Sequence, residues 1–113
     1  MVTLVHFEIP ATEMEKSRDF YQELFGWKFQ PFSDDYLSFD TGDGSGGGIY
    51  KVEEIHPSQV NLYFKVEDIP QTLERAVDLG GLEMQPKTSI GEHGFIGTIA
   101  DPCGFHIGLW SKD

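Results

Sequence analysis

The sequence predicts an α+β fold in which two βαβββ modules form a curved, eight-stranded mixed sheet with the helices outside. Each half of the chain begins with a short run of β-branched and aromatic residues, which is typical of a strand. A capping signal and an amphipathic stretch follow each run, and three further extended segments follow each of those stretches. The two halves also align with each other as an internal repeat.

The repeat becomes visible when the chain is shifted against itself. At a shift of 55 positions Gly26 aligns with Gly81, and at a shift of 60 Gly48 aligns with Gly108. The change of shift predicts a longer loop in the second half, over residues 87–94.

Neither half alone is long enough to bury both faces of its own sheet. We therefore expect a single domain over residues 1–113, built from two repeats at about 1–54 and 58–113. A curved sheet of this kind has a concave face, where a ligand is expected to bind.

In the first half, residues 4–9 predict a strand, and Thr12 with Glu15 forms a capping box. Gly26 supplies the left-handed residue that ends the helix. The apolar stripe of this helix consists of Met14, Ser17, Phe20, Tyr21, Leu24 and Phe25. The three strands that follow are predicted at 27–32, 36–40 and 47–52.

The second half repeats this order. Residues 60–66 predict its first strand, Asp68 with Gln71 is the helix cap, and Gly80 ends the helix. Leu73, Ala76 and Val77 form the predicted buried stripe. The remaining strands are predicted at 82–85, 95–100 and 106–110.

Composition and charge exclude several classes of function. Nineteen acidic residues against eight Lys and Arg give a net charge of −11, which disfavours binding to nucleic acid or to an anionic membrane.

No apolar run reaches the roughly 20 residues of a membrane helix, and the first residues do not resemble a signal peptide. The single cysteine, Cys103, lies in a predicted turn. A reducing, cytoplasmic setting is therefore expected.

Four segments together resemble the vicinal oxygen chelate superfamily, which includes glyoxalase I, bleomycin-resistance proteins and extradiol dioxygenases. The segments are HFEIP at 6–10, SRDFYQELFGW at 17–27, the glycine pair at 80–81 and DPCGF at 101–105. The resemblance covers nearly the whole chain and implies the same glyoxalase-like fold.

Metal-dependent members of this superfamily hold a divalent cation with side chains from the first and last strands of each half. The corresponding positions here are His6, Asn61, Gly48 and Gly108. Glycine has no donor side chain, and an amide oxygen is a poor ligand for a transition metal. We therefore expect no catalytic metal and no other cofactor.

Two alternatives use residues beside these positions. Glu8 and His106 share strand faces with His6 and Gly108, so a displaced metal site of His6, Glu8 and His106 stays open. His6 also fits a catalytic acid or base with Glu8 as its partner. An apolar concave face would raise the pKa of Glu8, whereas a charged His6 would lower it.

Ligand binding is assigned to glycines that leave room beside the sheet and to polar or aromatic side chains that form a wall. This predicted set consists of Gly48, Tyr50, Asn61, Tyr63, Phe95, Gly108 and Trp110. His93 lies in the long loop predicted beside the cavity.

Three functions compete. The first is a metal-free protein that binds a small, partly aromatic molecule in the concave cavity, for which bleomycin-type binders in the superfamily are a precedent. The second is a lyase or isomerase of glyoxalase type that uses His6 as an acid, base or residual metal ligand. The third is an interaction module with a vestigial cavity. The resemblance also implies a homodimer.

Overall fold

The computed structural model of the chain describes residues 4–56 and 61–113. The start of the strand predicted at 60–66 and the repeat boundary at 58 lie outside these residues. In chain order the elements are β1 His6–Ala11, α1 Met14–Phe25, β2 Lys28–Ser33, β3 Tyr36–Asp40, β4 Gly46–Lys51, β5 Tyr63–Lys65, α2 Ile69–Asp78, β6 Leu82–Ser89, a 3-10 turn Gly91–His93, β7 Phe95–Ala100 and β8 His106–Ser111.

The eight strands form two mixed sheets of four strands each. Their orders are β1-β4-β3-β2 and β5-β8-β7-β6, so both modules have the same topology. In each module the first strand runs parallel to the last, and the other neighbours are antiparallel. The α+β class and the two βαβββ modules are confirmed. The strands divide into two sheets rather than one continuous sheet.

The N-cap of helix α1 lies one residue later than the sequence predicts. This residue is Glu13, which has extended backbone angles of φ −134° and ψ 94° and makes no side-chain capping bond. Thr12 therefore precedes the cap, and the predicted capping box with Glu15 is wrong. The predicted end is confirmed, because Gly26 is left-handed with φ 76°.

Helix α2 has the predicted cap. The Asp68 carboxylate accepts a hydrogen bond of 3.0 Å from the backbone N–H of Gln71. Ile69, Leu73 and Ala76 are buried, but Val77 is half exposed, so its place in the predicted stripe is wrong. In the described part of the chain, no helix is long and apolar enough to cross a membrane.

Strand β6 is longer than predicted. It continues to Ser89 through two irregularities in its pairing with β7, and the 3-10 turn follows it. The predicted loop over 87–94 is therefore largely strand and turn. Strands β3 and β7 have their predicted bounds.

A cluster of aromatic rings joins the two modules. The ring of Phe64 from β5 lies 5.6 Å from Phe7, 5.5 Å from Phe25 and 5.4 Å from Trp27, measured between centroids. The last three residues belong to the first module. These three pairs are tilted or edge-on, which are arrangements that aromatic rings prefer.

A buried hydrogen bond also joins the modules. The Tyr21 hydroxyl on α1 donates to the Asp101 carboxylate over 2.8 Å. Asp101 precedes the turn between β7 and β8, where it accepts N–H bonds from Cys103 and Phe105. Cys103 therefore lies in a turn, as predicted.

Candidate functional site

Each sheet has a face that is opposite its helix, which we call the open face. Ile9 and Ile49 point to the helix side of the first sheet and are fully buried, whereas the alternating positions of β1 point the other way. His6 and Glu8 are these positions, and their side chains are 53% and 46% exposed. The open faces are therefore accessible to a ligand.

Three polar side chains meet on the open face of the first module. The Nε2 atom of His6 lies 3.2 Å from Oε2 of Glu8 and 3.3 Å from the hydroxyl oxygen of Tyr36. His6 and Glu8 come from β1 and Tyr36 comes from β3, two strands away in the sheet. A carboxyl and a phenol therefore both contact the same imidazole nitrogen.

The charges in this cluster are set by its hydrogen bonds. Bonds from His6 and Tyr36 lower the pKa of the Glu8 carboxyl, and their effect outweighs its slight burial. Partial burial, and then the hydrogen bond to Glu8, raise the pKa of Tyr36. At neutral pH Glu8 is thus a carboxylate and Tyr36 a neutral phenol. The rise in the Glu8 pKa that an apolar face would cause does not occur.

The two glycines at the last-strand positions are covered by tyrosine rings. A side-chain carbon on Gly48 would overlap the ring of Tyr36, and one on Gly108 would overlap the ring of Tyr63. Tyr36 lies on the strand next to Gly48, and Tyr63 pairs directly with Gly108. The space beside both glycines is therefore filled from within the chain, whereas the sequence predicts that it is left open.

The open face of the second module is aromatic. Trp110 is half buried, and its indole N–H donates to the backbone carbonyl of His93 over 2.8 Å. The Lys65 ammonium lies 5.9 Å from the centroid of the Trp110 ring, within reach of a cation–π interaction. The 3-10 turn thus holds Trp110 through its backbone, while the His93 side chain remains largely exposed.

The predicted ligand-binding residues divide between several places. Tyr50 pairs with Tyr36 and is exposed on the open face of the first module. Asn61 is exposed just before β5 begins. Phe95 pairs with Ser111, on the opposite face from Trp110, and packs against the core. The period of two along β7 therefore removes Phe95 from the candidate site.

The displaced metal site that the sequence left open is not formed. Within residues 4–56 and 61–113, no three His, Cys, Asp or Glu side chains converge as metal ligands. His6 and Glu8 lie on β1, whereas His106 begins β8 in the other sheet. Over the same residues, no hydrogen bond joins the His6 cluster to Tyr63 or Trp110.

Sequence reasoning did not assign Tyr36 or Lys65 to the site. A signal for Tyr36 exists, because a glycine inside a strand is often covered by an aromatic side chain from the neighbouring strand. Lys65 lies two positions beyond Tyr63 on the same strand, so it shares the open face.

Comparison with known proteins gives consistent results. The family model of the Glyoxalase/Bleomycin resistance protein/Dioxygenase superfamily matches residues 3–109. A glyoxylase-like domain-containing protein of Didymella fabae is 37% identical over 95 residues, which cover 76% of this chain and 74% of that protein. Two mycobacterial relatives, both named as a glyoxylase CFP32, are 26% identical to this chain over 94% of its residues. The chain spans only 44% of the length of these two relatives.

Solved structures have the same fold at low sequence identity. A family enzyme from Burkholderia phytofirmans aligns with a TM-score of 0.84 at 18% identity, over 99% of this chain and all of that one. A FosX variant from Listeria monocytogenes, solved with Mn(II) and 1S,2S-dihydroxypropylphosphonic acid, aligns with a TM-score of 0.81 at 16% identity, over 97% and 90% of the two chains. The chain belongs to the Glyoxalase/Bleomycin resistance protein/Dioxygenase superfamily.

Proposed function

We propose that this protein binds a small, partly aromatic molecule on its open sheet faces without the divalent metal of its metal-dependent relatives. The observation that carries the proposal is that Tyr36 and Tyr63 cover Gly48 and Gly108. At both last-strand positions an aromatic surface thus stands where those relatives are expected to supply a metal ligand.

The residues at the four expected ligand positions do not fit a transition metal. His6 is a suitable donor, but it already contacts Glu8 and Tyr36. Gly48 and Gly108 have no donor atoms, and Asn61 offers an amide. Titration calorimetry with Zn²⁺, Ni²⁺ and Mn²⁺ tests this step. We expect no stoichiometric binding, and an ion whose binding is lost in His6→Ala would contradict the proposal.

The chemistry of the two modules suggests the kind of ligand. The first offers a carboxylate, an imidazole and a neutral phenol, and the second offers the faces of Tyr63 and Trp110. A compact molecule with an aromatic ring and a hydrogen-bonding group at one end matches this division. The ring stacks in the second module, and the polar end reaches the His6 cluster.

A binding screen tests this placement. Phenol, benzamide and 4-hydroxybenzoate serve as probes, with thermal unfolding and the Trp110 indole N–H resonance as measurements. A ligand at 100 times its dissociation constant adds about 2.7 kcal/mol to the free energy of unfolding. We expect Trp110→Ala to abolish that gain. Val77→Ala, which truncates an exposed side chain on α2, is the matched control. Binding that survives in Trp110→Ala refutes the placement.

The second candidate function is acid–base catalysis of glyoxalase type. It is favoured by the 3.2 Å contact between His6 and the ionised Glu8, which orients the imidazole. Assay for lyase or isomerase activity, followed by His6→Ala and Glu8→Gln, tests this role. We expect either substitution to lower the rate by at least about 100-fold. Full activity in His6→Ala excludes it.

We also propose that the chain is one domain of two repeats, that it forms a homodimer, and that it works in a reducing, cytoplasmic setting. The matched topology of the two sheets supports the duplication. Its family membership supports the dimer, and its single cysteine supports the setting. Light scattering after size exclusion measures the oligomeric state, and a monomer at micromolar concentration contradicts the dimer.

A further inference from the structure

A groove of about 440 Å³ lies between the two modules, beside the helix face of β1. Its volume is within the range of small-molecule sites, which is roughly 300–1,000 Å³. One wall comes from the loop between β3 and β4 and the other from β5. The lining residues are Leu4, Phe7, Phe25, Trp27, Thr41, Asp43, Ser45, Tyr63, Phe64 and Lys65.

The floor of the groove is aromatic. Phe7, Phe25, Trp27 and Phe64 form it, and the rings of Phe7 and Trp27 are 5.8 Å apart in an edge-on arrangement. Trp27 is only 5% exposed, so its position is fixed by the packing around it. Tyr21 and Phe39 stack on Trp27, so a ligand in the groove meets mainly the rings of Phe7 and Phe64. Aromatic rings of this kind attract apolar rings and cations.

A fixed carboxylate lies on the rim. Oδ1 of Asp43 accepts three hydrogen bonds: from the Thr41 hydroxyl at 2.7 Å, the Ser45 hydroxyl at 2.6 Å and the Ser45 backbone N–H at 3.1 Å. These bonds lower the pKa of Asp43 to about 2, with the Ser45 hydroxyl as the largest cause. The group is therefore anionic at any physiological pH, and Oδ2 remains for a donor from outside.

The other charged residue of the groove turns its charge away. The Lys65 ammonium lies near the Trp110 ring, on the open face of the second module. The Lys65 charge is therefore held beside Trp110, and Asp43 sets the charge of the rim. The net charge of −11 also attracts cations to the protein.

We propose that this groove binds an organic ammonium ion that carries an aromatic ring. The ring packs on Phe7 and Phe64, next to the buried Trp27, and the ammonium donates to Oδ2 of Asp43. The inference goes beyond the proposed function, because it uses the opposite side of β1 from His6 and Glu8 and shares only Tyr63 and Lys65 with the open faces.

Three probes of similar shape and different charge test the proposal: phenethylammonium, 2-phenylethanol and 3-phenylpropionate. Chemical shifts of the Ser45 amide and the Trp27 indole N–H report on the groove, and the Trp110 indole N–H reports on the open face. We expect phenethylammonium alone to shift the first two signals in a saturable manner. Equal binding of all three probes, or shifts at Trp110 without shifts at Trp27, overturns the proposal and leaves the proposed function standing.

A matched pair of variants tests the role of the carboxylate. Asp43→Asn keeps an oxygen that accepts the loop bonds but removes the charge. Asp40→Asn removes a neighbouring exposed charge that accepts a bond from the Gly42 N–H and does not line the groove. We expect Asp43→Asn to weaken phenethylammonium binding about tenfold and Asp40→Asn to leave it unchanged. Equal weakening in both variants overturns the proposal, because it indicates attraction by net charge alone.

Discussion

At the scale of single residues, Ser17 is a buried polar side chain whose environment should lower stability. Its side chain on α1 is fully buried, and within the described residues its hydroxyl has no hydrogen-bond partner. A buried hydroxyl without a partner lowers stability, and alanine is a better helix former than serine. We therefore expect Ser17→Ala to raise the free energy of unfolding by about 1 kcal/mol, measured by urea denaturation.

Ser111 is the matched control for this prediction. It is 1% exposed, but its hydroxyl donates to the backbone carbonyl of Asp113 over 2.9 Å. Ser111→Ala should therefore lower the free energy of unfolding by about 1 kcal/mol. Loss of stability in Ser17→Ala would show that its hydroxyl has a partner in solution.

The buried pair of Tyr21 and Asp101 makes stability depend on pH. Burial raises the pKa of Asp101 above its ordinary value of 3.8, although hydrogen bonds from Tyr21 and from the Phe105 backbone oppose the rise. The folded chain therefore holds this proton more tightly than the unfolded chain. The stability contributed by Asp101 is fully present below pH 3.8 and is lost as the pH rises through the folded pKa.

Removing the Tyr21 hydroxyl should raise the Asp101 pKa further. We expect Tyr21→Phe to cost about 2 kcal/mol at pH 7 and less at pH 4, because the hydroxyl stabilises the charged carboxylate most. Carboxyl carbon resonances measure the pKa, and denaturation at both pH values measures the cost. Tyr50→Phe, at an exposed phenol, is the control. An unchanged Asp101 pKa in Tyr21→Phe would contradict this account.

The composition of the site was only partly predictable at this scale. The contact of His6 with Glu8 follows from their spacing of two on one strand. The place of Tyr36 depends on the register of β3 against β4, which local sequence does not determine. The same holds for Phe95, whose orientation depends on which of two alternating faces of β7 packs on α2.

At the scale of elements, the two helices begin differently and should respond differently to substitution. Asp68 caps α2 through its side chain, whereas Glu13 at α1 makes no capping bond. We expect Asp68→Ala to lower the free energy of unfolding by about 1 kcal/mol. Glu13→Ala should cost at most about 0.5 kcal/mol, because it removes only an exposed ion pair with Lys16. Equal costs in thermal denaturation would contradict the assigned caps.

Helix ends and strand bounds differ in how well the sequence predicts them. Gly26 and Asp68 act locally, so their roles could be predicted. The length of β6 could not, because its last residues pair with β7 only after the chain reverses. Val77 has a helical spacing that suits the buried stripe, but the packing of α2 buries Ile69, Leu73 and Ala76 and leaves Val77 49% exposed.

At the scale of the whole molecule, Phe64 is the ring by which the second module enters the aromatic cluster of the first. Removing a partly buried phenylalanine costs about 3 kcal/mol. We expect Phe64→Ala to lower the free energy of unfolding by about that amount. The two modules should then unfold in separate transitions. In urea titrations, the indole N–H resonance of Trp27 reports on the first module and that of Trp110 reports on the second.

Phe95 gives the control for the separation of modules. It packs against the core from β7, and in the described part of the chain its ring makes no contact with the rings of Phe7, Phe25 or Trp27. Phe95→Ala should lower stability while the unfolding transitions of the two indole resonances stay coincident. Coincident transitions in Phe64→Ala would show that other contacts couple the modules.

The duplicated architecture was predictable from the sequence because both halves contain the same order of local signals. The way in which the modules meet was not. It depends on Phe64 and on the bond between Tyr21 and Asp101, residues 80 positions apart. Contacts of that range leave no periodic pattern in the sequence.

The order of strands has a consequence for the backbone amides. Strands β1 and β5 each pair on one side only within the described sheets, whereas β4 and β8 pair on both sides. Every second amide of β1 and β5 therefore lacks a partner within its sheet. In deuterated water these amides should exchange their hydrogens well before those of β4 and β8. The seam between the two modules would then appear as two quickly labelled strands beside slowly labelled ones.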